Sequence, residues 1–213
     1  MDEATKTKLF YPELFKDFVI GATLDIGAGR DPVSPGAIVF DKPQGNAEHI
    51  FEHFEHQSFD TVFSSHCLEH INEPRLVIRD WFALVKPSGH LFVIVPDEDL
   101  YEQGHFPSIF NNDHKSTFTI SKSASWSPKS VNLLEIAQEL NGEIAYLKQQ
   151  SDGYDVSLKT FSKLGLRKYR IGNYLLRFGF LKSILLTFRL IALDQTSLSR
   201  PVLAQNCMVI RKI

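Results

Sequence analysis

Short apolar runs, each stopped by turn-forming or acidic residues, recur along the chain. Thr23-Leu24-Asp25-Ile26 stops at Gly27, Ala37-Ile38-Val39-Phe40 stops at Asp41, and Phe59-Asp60-Thr61-Val62-Phe63 stops at Ser64-Ser65. Their length and their β-branched and aromatic content predict strands. From Pro74 the spacing changes: Leu76, Val77, Trp81 and Leu84 fall on one helical stripe. Lys86-Pro87-Ser88-Gly89-His90 closes that helix, and residues 91–96 read as a buried strand. Ser127-Pro128 opens another helix carrying Val131, Leu134, Ile136 and Leu140, with Gly142 as its stop. Residues 144–147 and 203–210 predict two further strands. Leu9-Phe10-Tyr11-Pro12 and Leu14-Phe15 predict a lead-in helix within residues 1–20.

The first strand break carries the strongest chemical signal. Gly27 and Gly29 flank Ala28, and glycines at a strand end let backbone N–H groups approach a ligand closely. Asp25 lies inside the strand, where an acid is costly without a partner. Asp41 ends the second run, the position from which an acid accepts hydrogen bonds from ribose hydroxyls in nucleotide-binding α/β folds. A dinucleotide fingerprint needs a third glycine, and Pro32 occupies its place. Asp-x-Gly-x-Gly instead resembles the first motif of class I S-adenosylmethionine-dependent methyltransferases. Only about ten residues, 30–39, separate the two runs. That is short for a crossover helix, so a brief helix or a turn is expected there.

Further matches extend the resemblance over residues 20–150 and the last strand. Gly45-Asn46-Ala47 is similar to the family's Gly-Asp-Ala, with Asn46 replacing the acid that reads the adenine amino group; an amide can still accept that bond. The segment from Ser58 through Leu68-Glu69-His70 resembles the family's fourth-strand motif, which puts Ser64, Ser65 and His66 at a strand tip facing the transferred methyl. Lys86-Pro87-Ser88-Gly89 matches a family turn. The polar–aromatic loop 97–115, with Asn111, Asn112, Asp113, His114 and Lys115, is similar to loops of methyltransferases of surface-polysaccharide and lipopolysaccharide biosynthesis.

The resemblance implies an α/β, doubly wound, mostly parallel seven-stranded sheet, the Rossmann-like methyltransferase fold, with an antiparallel last strand (203–211) and a helical insertion before it. One domain spans residues 1–213. It implies S-adenosyl-L-methionine as cofactor, held by Asp25, Gly27, Ala28, Gly29, Asp41, Asn46, Ala47, Ser64 and Ser65. The reaction is methyl transfer to an oxygen or nitrogen of a small acceptor, with a sugar or nucleotide-linked sugar as the leading class. For a hydroxyl acceptor a base is needed, and His66, His70 and His114 are its candidates, since histidine titrates nearest neutrality. A non-catalytic cofactor-binding subunit is the alternative.

Two metal readings compete. His49, His53 and His56 could meet on one helical face. His66-Cys67-Leu68-Glu69-His70 also matches the H-x-x-E-H signature of inverted zinc peptidases, but that motif must lie within a helix, and His66 directly follows a β-prone run. No metal is expected.

Composition adds little until the insertion. The chain has 213 residues, a net charge of −2, and two cysteines, Cys67 and Cys207. Such a charge gives no global affinity for nucleic acid, and the cysteine count suits a reducing, cytoplasmic setting. Asp2, Glu3, Lys6 and Lys8 precede any apolar run, unlike a signal peptide. Residues 156–193 instead contain eight Lys or Arg and no acid. Three roles remain open for this basic insertion (156–200): binding an anionic acceptor, lying on the inner face of an anionic membrane, or forming a homodimer face.

Overall fold

A computed structural model describes residues 3–158 and 193–213. The basic insertion therefore lies mostly outside the described residues. The lead-in segment forms two helices, α1 (Glu3–Phe10) and α2 (Pro12–Phe18), because Pro12 can open a helix but cannot continue one. Next come β1 (Thr23–Ile26), β2 (Ile38–Phe40) and β3 (Phe59–Ser65). Then α3 (Pro74–Ala83) leads into the long β4 (Val85–Pro96). A small two-stranded sheet, β5 (Thr117–Thr119) and β6 (Ser130–Asn132), precedes α4 (Leu133–Glu139). Finally β7 (Glu143–Gln150) and β8 (Gln205–Arg211) complete the main sheet.

The main sheet runs β2-β1-β3-β4-β8-β7. The first four strands pair in parallel, and β8 is antiparallel to both its neighbours. Side chains alternate across the sheet as a two-residue period demands. Leu24, Ile26, Val62, Leu91, Val93 and Val95 face α3 and α4. Phe63, Phe92 and Ile94 face Leu14 and Phe15 of α2 and Ala4 of α1. Phe15 packs on Phe63 and Phe92 with ring centroids 5.8 and 5.2 Å apart. Both faces are thus covered, as a doubly wound sheet requires.

Four expectations need correction. The main sheet has six strands among the described residues, not seven: after β2 the chain turns at once into a 3-10 segment (Ala47–Glu52), leaving no room for a third strand before it. The last predicted helix starts at Leu133 rather than Ser127, because Ser130–Asn132 pairs with β5 and the Asn132 side chain accepts from the Leu134 and Glu135 N–H groups as the cap. The inward stripe of α3 is Val77, Ile78, Trp81 and Phe82, while Leu76 faces solvent. The histidines of 49–56 do not share a helical face: the 3-10 segment is kinked at His49, His53 packs on Phe40, and His56 stacks on Phe51. As expected, the β1–β2 connection holds no helix among its residues. No helix among the described residues is long and apolar enough to cross a membrane.

Candidate active site

From β1 the chain passes to β2 on one flank of that strand and then crosses over to β3 on the other. Strand order reverses there, and the crevice beyond the strand ends is where α/β sheets bind ligands. Three cavities meet in this crevice. The largest, about 770 Å³, is lined by Gly27, Asp41, Asn46, Ala47, Cys67 and Lys115 among others. A second, about 460 Å³, includes Lys6, Tyr101, Asn111, Asp194 and Arg200 in its wall. A third, about 270 Å³, is lined by Asp25, Ala28, Gly29, Asp31 and Ser65. His66 lines all three.

Gly27 makes the first cavity possible. It sits at φ +78°, and a Cβ there would lie 2.5 Å from Cys67 Cβ. Its N–H donates to the Phe40 carbonyl, fixing the β1 turn to the end of β2. Asp41 then accepts from Gly29 N–H at 3.0 Å and from Lys42 N–H at 2.7 Å. Each carboxylate oxygen keeps a lone pair for a ligand hydroxyl. Asn46 caps the 3-10 segment by accepting from Glu48 N–H, and Trp81 Nε1–H donates to the Ala47 carbonyl, so this wall is anchored to α3. Burial, with the nearby charges of Glu69 and Asp41, pushes the Cys67 thiol up to about 12, so it stays protonated and serves as wall rather than nucleophile.

Asp25 is almost wholly buried. Its Oδ2 accepts from Val33 N–H at 2.6 Å, and its Oδ1 has no protein partner. The predicted cofactor contacts divide at β3. Ser65 lines the third cavity, whereas Ser64 is buried and donates to the Ile26 carbonyl at 3.0 Å. Ser64 therefore ties β3 to β1 and lines none of the three cavities, because alternation turns it to the other side of the sheet.

His66 follows β3 in the left-handed region, φ +53°, with its N–H donating to the Ile94 carbonyl. Its Nε2 lies 3.2 Å from Gln205 Oε1. The Gln205 amide nitrogen is committed to Thr7 Oγ1 and Gln150 Oε1, so its carbonyl oxygen faces His66 and Nε2–H must donate to it. Nδ1 is left with the lone pair. Glu69 Oε1 lies 3.6 Å from that nitrogen.

His70 and His114 stand beside it, rings 5.0 Å apart and edge to face. His70 Nδ1 is 3.1 Å from Asp113 Oδ2. His114, buried, has Nδ1 2.6 Å from Glu102 Oε1. Burial pulls its pKa down, but the Glu102 hydrogen bond and the charges of Glu69, Glu102 and Asp113 outweigh it and raise the value above the ordinary one. The structure thus brings all three candidate histidines together. Tyr101 joins them, as do Glu102 and Gln205, which were not singled out in the sequence. Glu102 and Tyr101 lie in the polar loop already flagged, while no spacing pointed to Gln205, which reaches the site from the far end of the chain. The H-x-x-E-H residues lie on a strand tip and a 3-10 turn (Leu68–His70), which removes the helix a peptidase would need.

Residues 24–93 match a family model described as a methyltransferase domain. No curated protein matches the chain. Among solved structures, a SAM-dependent methyltransferase from Archaeoglobus fulgidus superposes with a TM-score of 0.55 at 13% identity, covering 99% of this chain and 95% of that one. A protein from Thermotoga maritima described as a possible histamine N-methyltransferase gives 0.50 at 15% identity, with 99% of both chains covered. These two likenesses concern the fold.

Proposed function

We propose that this chain is a class I S-adenosylmethionine-dependent methyltransferase that methylates a hydroxyl oxygen of a small anionic acceptor, a sugar or nucleotide-linked sugar, a reading supported by the methyltransferase-domain match over residues 24–93 and by the sheet. The observation that carries this reading is the position of His66, with a free Nδ1 lone pair, where the cofactor-sized cavity opens into a second, polar one.

The crevice fits the cofactor. Gly27 allows backbone approach, Asp41 has lone pairs for ribose hydroxyls, and the unpartnered Asp25 Oδ1 suits the ammonium of the methionine end. When bound, S-adenosylmethionine supplies a methyl group already made electrophilic by its sulfonium. What remains for the protein is to align the acceptor, exclude water and take a proton. Lys6, Arg200, Tyr101 and Asn111 line the acceptor cavity and can orient charged and hydroxyl groups there. His66 Nδ1 takes the hydroxyl proton, and Glu69, 3.6 Å away, stabilises the imidazolium that results. The eight cations of residues 156–193 favour an anionic acceptor or an anionic membrane face, and the loop resemblance favours polysaccharide biosynthesis.

Two measurements test this. Labelled methyl from the cofactor should appear on sugar or nucleotide-sugar hydroxyls when those are screened beside lipids and small amines; uptake by amines alone would overturn the hydroxyl reading. Asp41→Ala should weaken cofactor binding by about 1.5–3 kcal/mol through lost charged hydrogen bonds to the ribose. Titration calorimetry showing wild-type affinity would remove Asp41 from the site.

A further inference from the structure

We propose that Glu69, His70 and His114 form a site for a divalent transition metal of the zinc type, opening onto the acceptor cavity. Each of the three brings one ligand atom, and these atoms lie within 4.8 Å of one another. His70 Nε2 is 3.9 Å and His114 Nε2 is 4.0 Å from Glu69 Oε1. Ligands at about 2.0–2.2 Å around a tetrahedral ion sit roughly 3.4 Å apart, so the ion requires the three to draw in by up to about 1.4 Å.

The surroundings argue for a cation independently of that spacing. Glu69 is 1% exposed, yet its Oε2 has no hydrogen-bond partner. Three histidines surround it at 3.6 to 4.0 Å, and none approaches within hydrogen-bond distance of its carboxylate. A buried carboxylate left this way is costly unless something positive completes it. Both candidate ligand histidines are also oriented from behind. His114 Nδ1–H donates to the Glu102 carboxylate, and His70 Nδ1–H donates to the Asp113 backbone carbonyl at 3.3 Å, with the Asp113 carboxylate 3.1 Å away. A carboxylate or backbone carbonyl accepting from the far nitrogen fixes the tautomer that leaves Nε2 free and is the usual support of a metal-bound imidazole. Two imidazoles and one carboxylate suit zinc and leave a fourth position.

Glu69, His70 and His114 all line the acceptor cavity, so that fourth position faces it. A hydroxyl of the acceptor would occupy it, which rests on the hydroxyl-methylation reading; the binding of the ion itself does not. His66 stays outside the ligand set, its Nε2 held by Gln205.

The test uses the full chain, stripped with a chelator, equilibrated with Zn²⁺ or Co²⁺ and dialysed. One equivalent of Zn²⁺ per chain is expected, with Co²⁺ giving the visible absorption of a tetrahedral site. His70→Ala and Glu69→Gln should each weaken Zn²⁺ binding at least tenfold and abolish the Co²⁺ absorption, while His53→Ala retains both. His114→Ala is buried enough to disturb folding, so the first two variants decide. Absence of stoichiometric metal in the wild type, or unchanged binding in both variants, overturns the site. A chain that binds zinc through these residues but methylates only amines keeps the site and rejects the acceptor reading.

Discussion

Replacing His66 should lower single-turnover methyl transfer by roughly 10²–10⁴-fold, the usual worth of a positioned base, with cofactor affinity kept. The backbone at His66 is left-handed, which alanine tolerates poorly, so His66→Asn is the cleaner variant: asparagine accepts that conformation but cannot take the proton. The expectation rests on three pieces of geometry. His66 lines every cavity of the crevice, Gln205 fixes its Nε2 as a donor, and Glu69 stands ready to stabilise its charged form. His70 and His114 have their Nδ1 atoms committed to Asp113 and Glu102, so their loss should act through position or through a bound ion. A loss below tenfold in His66→Asn, measured at saturating cofactor with acceptor bound, would mean that no proton leaves through His66. An amine acceptor, arriving already deprotonated, would then be the better reading.

The cofactor half of the site was legible because it is written in consecutive residues. A strand, two glycines and an acid on the next strand follow local rules, and β1, Gly27 and Asp41 appear where those rules put them. Of the two adjacent serines only Ser65 lines a cavity, because neighbouring residues on a strand point to opposite faces, and the sequence does not say which one faces the crevice. The helix predicted from Ser127 failed for a similar reason. Ser130–Asn132 satisfies its backbone by pairing with β5, a partner more than ten residues away that no local pattern announces. The acceptor half was the least legible. Its geometry joins α1, the strand tip after β3, the loop after β4 and Gln205 of β8, and contacts such as Gln205 with Thr7 span nearly the whole chain. Even so, His66 and His70 stood out through their motif and His114 through its loop, and the structure brings the three to one cavity.

Asp25 should make the stability of the free protein fall as pH rises from about 4 to about 7. Burial pushes its carboxyl up to about 7; the Val33 N–H bond and the Lys8 charge oppose this, and Asp31 and Asp41 add to it. In the unfolded chain the same group titrates near ~3.9. Between those values the folded state holds a proton that the unfolded state has released, so the stabilisation is fully present below about pH 4 and lost once pH passes about 7. A separation of about three units corresponds to roughly 4 kcal/mol at most. Asp25→Asn keeps an acceptor for Val33 N–H and stays neutral throughout. Urea denaturation from pH 5 to 8 should therefore show the variant gaining on wild type as pH rises. Parallel curves would show that the carboxyl is not perturbed. The cofactor should reverse the preference, because an ammonium beside Asp25 Oδ1 favours the ionised form. Wild-type affinity for S-adenosylmethionine should then improve as pH rises through about 7, and Asp25→Asn should bind more weakly and lose that dependence. The burial that weakens the free protein is what readies this carboxylate for a cationic ligand.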